Sequence, residues 1–414
     1  MADPKKLQAR KDRTLRDSLS TDKGVIRAVE KITQYSSGYG FGARRRLLTG
    51  ALRLTRGMSP EIADALAACK EMIGYSKPIE MYVKPDPMLN AFCMKNPSGP
   101  TIVVLSSRLL EVFSPAELRF VIGHELGHAS FDHFGIPMPH SAMVEDLAGT
   151  IVSRPVSLQL YIWCRAAEIS ADRIGLVCAQ DPEAAASGFF KLASGLSSQR
   201  VKTDLEAYSK QVDSLASTPE ARKEPRDDDD TLDCFSTHPY SPLRVRAVVG
   251  FSKSKTYLDA IGKASGSGIT DDDLEAVVDR DLDMMQPSYL EEKTVQSELM
   301  RKALFLGGLT IAAASGDVDK NEMAALTALL GADYTEKLPK SEDAKKELEL
   351  LIPKAKEVPL VTRAQLIQHL TIIAAADGVV DPNEVGEMHR IAQLLGVDAQ
   401  VVEQTLAGAA SPMD

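Results

Sequence analysis

The sequence predicts two units of different class: an α+β unit, mostly helical around a small sheet, followed by an all-α unit. Three observations carry that reading. Short β-like runs at residues 79–83, 90–94 and 101–106 are separated by turn residues such as Lys84-Pro85-Asp86-Pro87 and Asn96-Pro97-Ser98-Gly99-Pro100, and strand signals end there. A Gly/Ser-rich strip at residues 262–268 leads into Asp271-Asp272-Asp273, the composition of a boundary. Beyond it lies an internal repeat: residues 309–322 echo residues 370–384, and Leu329-Leu330-Gly331 echoes Leu394-Leu395-Gly396, which implies two similar helical hairpins. At roughly 150 residues per domain, 414 residues suit two or three units.

The amino terminus stands apart by charge. Residues 1–56 hold 14 Lys or Arg against 5 Asp or Glu, a local +9 in a chain of net charge -10. Residues 1–43 are therefore expected to form a basic, flexible arm able to touch an acidic surface or lipid headgroups at the membrane periphery. A helix is expected over residues 59–72, ahead of the three strands. Ser114-Pro115-Ala116-Glu117 then supplies an N-cap, a Pro at N1 and a Glu at N3, opening a helix through Leu118, Val121, Ile122, Leu126 and Ala129. The expected boundaries are 44–262 for the α+β unit, 263–290 for an acidic linker and 291–414 for the helical unit. In the second unit Gly378 reads as a left-handed helix terminator, with Asp381 as N-cap, Pro382 at N1 and Glu384 at N3; Gly316, Asp319 and Glu322 repeat the pattern.

Several classes are excluded. The 5 Cys form no C-x-x-C pair and the first thirty residues hold no apolar signal core, so a reducing, cytoplasmic setting is expected. The most apolar stretch, residues 147–164, is interrupted by Arg154 and Pro155, and neither half reaches the roughly 20 residues of a spanning helix. A net charge of -10 argues against nucleic acid as a partner.

The chemistry lies in the helix opened by Ser114, at His124-Glu125-Leu126-Gly127-His128. Residues four apart advance about 400° around a helix and about 6 Å along it, so His124 and His128 share a face at a spacing that fits one tetrahedral zinc. Glu125 sits beside them, placed to act on a water held by that metal. Of 7 His in the chain, 5 fall between residues 124 and 238: His124, His128, His133, His140 and His238. In the same stretch Ala167-Glu168-Ile169-Ser170-Ala171-Asp172 sets two carboxylates four apart. With Glu168 as third ligand, Asp172 one turn on is placed to accept the free N–H of a ligating His. Three protein ligands leave a position for water, whose pKa zinc lowers towards about 7. His133 and His140 read as surface residues or supporting neighbours, Trp163 and Cys164 as core, and Asp227 to Asp230 as a solvated acidic loop. Arg244 suits orienting a carboxylate or a structural ion pair equally.

These residues carry a resemblance. Asn90-Ala91-Phe92, Ser107 to Leu110, Pro115-Ala116-Glu117-Leu118 leading into His124 to His128, Glu168 to Asp172, and Ser236-Thr237-His238-Pro239 with Arg244 six residues on resemble the HtpX and CAAX prenyl protease family of gluzincin metallopeptidases, over residues 45–250. The resemblance implies a zincin-like fold, one zinc held by His124, His128 and Glu168, and Glu125 as general base and acid. It further implies that His238 stabilises the oxyanion, with Asp172 and Arg244 in support, and that a protein or peptide substrate pairs with the edge strand at Asn90, Ala91 and Phe92. The carboxy-terminal repeats resemble TerB-like domains of tellurite-resistance and stress systems, most clearly in residues 374–384, over about 120 residues. That resemblance implies an all-helical module for a protein partner, with acidic residues able to take a second divalent cation, although Ser315 replaces the counterpart of Asp377 in the first repeat. The expectation is thus a zinc metalloendopeptidase with a helical module for regulation or localisation. Its rival is a stress-associated interaction scaffold with a latent zinc site.

Overall fold

The computed structural model describes residues 2–38, 42–96, 99–136, 154–196, 204, 207–211, 237–264, 266–283, 285, 290, 294–316, 320–330, 339–374 and 380–410. His140, Asp227 to Asp230, Asp319, Asp377 and Gly378 lie outside them. The chain divides into two compact units, one from residues 1–138, 163–215 and 238–282, the other from residues 139–162, 216–237 and 283–414. Each is taken by itself.

The first unit opens with helices α1 (Pro4–Leu7), α2 (Arg10–Leu19), α3 (Lys23–Gly38) and α4 (Gly42–Gly50). The flexible arm expected over residues 1–43 is thus helical through residue 38 and packed over its first part. Leu7, Asp12, Leu19, Val25 and Ala28 are buried while Lys5, Lys6, Arg13 and Asp17 face water. A tally of charge registers the solvated side and misses the opposite one.

Strand β1 (Leu52–Leu54) and helix α5 (Pro60–Met72) precede β2 (Ile79–Lys84), β3 (Ala91–Met94) and β4 (Thr101–Ser106). Sheet order is β1-β2-β4-β3, with β2 and β4 parallel and both outer pairs antiparallel. Tyr82, Ile102 and Val104 face Leu47 and Ala51 on one side, whereas Met81, Val103 and Leu105 join the main core on the other. On the first side Glu80 is buried and paired with Arg44 and with Arg53 at 3.1 Å, which fastens α4 to the sheet. At three residues, β1 is too short to give a periodicity signal, and the sequence alone predicts no strand there.

Helix α6 (Ser107–Val112) is followed by α7 (Pro115–Ser130), whose predicted capping box is present in full: Ser114 N–H donates to Glu117 Oε2 at 2.6 Å and Glu117 N–H to Ser114 Oγ at 3.3 Å. Helix α7 is buried along most of its length and packs on α5, on β3 and on the helix Pro182–Ser194. A 3-10 turn at His133–Gly135 ends this stretch. Helix α8 (Arg154–Ala179), which belongs to this unit from Trp163 on, and helices α9 (Pro182–Ser194), α10 (Ser241–Phe251), α11 (Lys255–Ala260) and α12 (Asp271–Asp283) complete it. The expected linker at 263–290 contains the helix α12, which is part of the unit: Leu274, Val278 and Leu282 enter the core and Arg173 pairs with Glu275 at 2.7 Å, buried. Acidic residues at 271–273 occupy its first turn, where the helix dipole favours negative charge.

The second unit is all helical among its described residues: α13 (Val295–Ala312), α14 (Lys320–Leu330), α15 (Ser341–Ala355), α16 (Leu360–Ala374), α17 (Pro382–Leu395) and α18 (Gln400–Ala410). The repeat-related helices α13 and α16 form its centre, which explains their shared Ala-rich apolar sequence. A Cβ at Gly307 would stand 2.9 Å from Leu370 Cδ2, so glycine permits their close approach. Asp381 caps α17 in a capping box with Glu384, and Gly396 ends it at φ 68°.

Candidate metal centre

The centre is built where α7 meets α8. A Cβ added at Gly127 would lie 2.7 Å from Ala171 Cα, and one at Gly123 would lie 2.7 Å from Cys178 Cβ and 2.9 Å from Gly175 Cα. Small residues four apart on both helices therefore allow near backbone contact, and the residues beside them, His124 and His128 on one helix, Glu168 and Asp172 on the other, are drawn together. His124 Nε2 lies 3.1 Å from His128 Nε2 and 3.5 Å from Glu168 Oε2; His128 Nε2 lies 3.3 Å from Glu168 Oε1.

Asp172 accepts from His124 Nδ1–H at 2.8 Å, which leaves His124 Nε2 as a bare lone pair. Arg244, from α10, grips Asp172 with two N–H groups at 2.6 and 2.8 Å and reaches Glu168 Oε2 at 3.1 Å, its guanidinium 4.6 Å from the Phe189 ring centre. Its orienting and ion-pairing readings thus coincide in one contact. Burial would raise the Glu168 carboxyl, but His238, Arg244, His124 and His128 hold it well below the ordinary carboxylate range. Burial likewise works against the charge of Arg244, and Asp172 and Glu168 overcome it, pushing its pKa up. For His128 burial is outweighed by Glu168, and the ring's pKa is raised.

His238, held at the start of the turn into α10, brings Nε2 to 3.6 Å from Glu168 Oε1 and stays 58% exposed. Glu125 is buried, and its charge reaches both His128 and Arg244. Its backbone carbonyl accepts from Cys93 Sγ at 3.4 Å, which ties β3 to α7; burial, then Glu125, pushes the Cys93 thiol up, so it is neutral. Strand β3 pairs with β4 alone among the described residues and stands at the sheet edge. Asn90 anchors its start by accepting from Ser106 N–H at 2.9 Å, Ala91 is half-buried and Phe92 is 37% exposed.

The donor set fits a zinc ion. Ligand atoms about 2.0–2.1 Å from a tetrahedral zinc are separated by roughly 3.3 Å; here the two His Nε2 atoms are 3.1 Å apart, Glu168 Oε1 lies 3.3 Å from that of His128 and Glu168 Oε2 lies 3.5 Å from that of His124. Glu168 Oε2 is buried and, beside its ion pairing with Arg244 at 3.1 Å, has no hydrogen-bond partner of good geometry, which leaves it able to face a cation. Among the described residues, His124, His128 and Glu168 are the group of three potential metal ligands, their donor atoms within 4.8 Å of one another. In the second unit Asp381 is occupied as a helix cap, and no such group forms there among the described residues.

Residues missed by sequence reasoning surround His133. That residue is not on the surface: it is 2% exposed, its Nδ1 is 2.9 Å from His128 Nδ1, and its Nε2 is 3.2 Å from Asp12 Oδ2. Burial drives the His133 ring down in pKa and leaves it neutral. For Asp12 burial acts upward, but hydrogen bonds from His133, Ser170 and Gln8 hold it below the ordinary range and ionised. Trp163 and Cys164 are core, as expected.

Residues 59–251 match the family model of peptidase family M48, and residues 301–407 match that of the tellurite resistance protein TerB. The chain carries an M48 peptidase domain followed by a TerB domain. The M48 domain contains the whole His124, His128, Glu168 cluster together with Glu125, His238 and Arg244. Among relatives, the chain is 28% identical over 213 residues to the plastoglobule-localized metallopeptidase 48, chloroplastic, of Arabidopsis thaliana, covering 50% of this chain and 60% of that protein. It is 32% identical over 82 residues to a protease HtpX homolog of Tropheryma whipplei, covering 20% of this chain and 28% of that protein. The chain thus spans less than two thirds of these relatives. No helix among the described residues of the M48 or TerB domain is long and apolar enough to cross a membrane.

Proposed function

We propose that the M48 domain is a zinc-dependent endopeptidase and that the TerB domain regulates or localises it. One observation supports this above the rest: the Nε2 atoms of His124 and His128 and the Glu168 carboxylate converge, with donor atoms within 4.8 Å of one another, and Glu125 is buried in the same helix turn. When bound, zinc polarises a carbonyl and lowers the pKa of water at the site. Glu125, which no ligand role requires, takes the proton from the attacking water and returns it to the departing amine. His238, exposed at the rim, donates a hydrogen bond to the oxygen that gains charge. Asp172 and Arg244 hold the His124 ring and the Glu168 carboxylate in place. The edge strand β3 offers Asn90, Ala91 and Phe92 to an extended peptide by strand addition. Free thiols at Cys69, Cys93, Cys164 and Cys178 support a reducing, cytoplasmic setting. The outward Lys5, Lys6 and Arg13 allow peripheral contact with an acidic surface.

The test is casein digestion by the zinc-loaded full chain beside Glu125→Gln, with new amino termini read by mass spectrometry and bound metal by elemental analysis. We expect about one zinc in each protein and cleavage by the wild type only. Equal cleavage by both would remove Glu125 from the mechanism, and a wild type that carries zinc yet cuts nothing would favour a scaffold.

A further inference from the structure

Asp12 is fully buried, yet no role follows for it from the M48 match, which begins at residue 59. Its carboxylate accepts from Trp163 Nε1–H at 2.9 Å, Ser170 Oγ–H at 2.6 Å and Gln8 Nε2–H at 3.0 Å, with His133 Nε2 at 3.2 Å. A carboxylate only accepts, so the His133 proton sits on Nε2 and the ring's lone pair is on Nδ1. That lone pair faces His128 Nδ1 at 2.9 Å, so His128 donates from Nδ1. His128 Nε2 is then bare and directed at the cluster formed with His124 Nε2 and Glu168 Oε1. Packing fixes the chain of rings: His133 stands edge-on to Trp163 at 5.6 Å between centres and to His128 at 5.0 Å.

We infer that Asp12 is the positioning residue for the second histidine ligand, acting through His133 as Asp172 acts directly on His124. The amino-terminal helix α2 is thereby a structural part of the metal centre: it sets the tautomer of a ligand it never touches. The inference rests on the zinc reading above. Supporting partners of ligating histidines are worth roughly 10–100-fold in metal affinity, which sets the expected effect.

The test measures zinc affinity of the full chain by competition with a chromophoric chelator for wild type, Asp12→Asn, His133→Phe and the double variant. The Asn amide has one oxygen where the carboxylate has two, so it cannot accept both from Trp163 at the Oδ1 position and from His133, Ser170 and Gln8 at the Oδ2 position, and it lacks the charge that holds the His133 proton on Nε2. We expect Asp12→Asn to weaken zinc binding roughly 10–100-fold, and to change it by no more than about twofold once His133→Phe has cut the connection. Equal losses in both backgrounds would mean that Asp12 supports the fold and not the ligand, and an unchanged affinity in the single variant would also overturn the inference. Should Asp12→Asn not fold, His133→Gln against His133→Phe decides. The Gln carbonyl can still accept from His128 Nδ1, so tighter zinc binding by Gln supports the relay and equal binding overturns it. A wild type whose zinc is unaffected by His124→Ala would defeat the zinc reading itself, and the relay with it.

Discussion

Arg244 carries more of the site's charge balance than its place outside the ligand set suggests. Two buried carboxylates, Asp172 and Glu168, share its guanidinium. Removing one partner of a buried ion pair leaves a charge without compensation, at a cost of about 3–5 kcal/mol. Arg244→Met is therefore expected to lower the metal-free protein's melting temperature sharply. Zinc should return part of the loss, because the cation neutralises Glu168 directly. Thermal unfolding in chelator and in zinc checks this, and an identical loss in both would separate Arg244 from the metal centre. At this scale the sequence revealed what lies within a helix turn. His124 and His128 are four apart, as are Glu168 and Asp172, so one periodicity exposes each pair. Asp12 was invisible for the opposite reason: its partners His133 and Trp163 are 121 and 151 residues away, and only the fold joins them.

At the scale of elements, the crossing of α7 and α8 decides whether ligands from two helices can meet. Gly127→Ala would press a methyl against the Ala171 backbone, a contact that cannot give way as a flexible side chain would. Overpacking of this kind costs about 1–3 kcal/mol, and it should also weaken zinc binding, because Glu168 and Asp172 recede with their helix. Gly386→Ala, in helix α17 with open space around it, is the control: it should stabilise by roughly 0.5–1 kcal/mol through helix propensity. Chelator competition and urea unfolding read both outcomes. Gly123 and Gly127, before and within the His124 to His128 motif, were visible in the sequence, but their purpose was not, since it depends on Gly175 and Ala171 opposite. The start of α7 was fully legible, and it makes a pH prediction. Burial pushes the Glu117 carboxyl up, but Lys191 at 2.7 Å, Ser187 and the Ser114 N–H lower it below its ordinary value. A carboxyl with a lowered folded pKa stabilises fully above its unfolded value, near about 4.3, and that stability disappears as pH falls through the folded value. Glu117→Gln should thus cost about 1–2 kcal/mol at pH 7 through the cap and the charged hydrogen bonds, and the two proteins should converge below about pH 4. Urea midpoints from pH 7 to 3 give the comparison, and a constant gap would show that ionisation of Glu117 is not its contribution.

At the scale of the molecule, composition suggested a peptidase unit of residues 44–262, and the core does not obey that boundary. Leu7 before it and Leu274, Val278 and Leu282 after it are buried in the same cluster as Ile122, Leu126 and Ile169. Each such side chain contributes about 1.5–3 kcal/mol, so four together rival the roughly 5–15 kcal/mol by which a domain is stable. Cutting at 262 also leaves Arg173 buried without Glu275, and cutting at 44 leaves His133 without Asp12. Charge runs mislead about boundaries because a helix can show all its charge to water while its other face enters a core. The Gly/Ser strip at 262–268 bends the chain between α11 and α12 within one unit, where Ile269 N–H donates to Lys253 O at 2.9 Å. Two fragments therefore behave differently. Residues 1–283 should unfold cooperatively in urea and bind zinc as the full chain does, whereas residues 44–262 should show no cooperative transition and little zinc. A cooperative transition for 44–262 at the midpoint of 1–283 would mean that α1, α2 and α12 cover the unit without stabilising it, and the metal centre would then be complete without its amino-terminal helices.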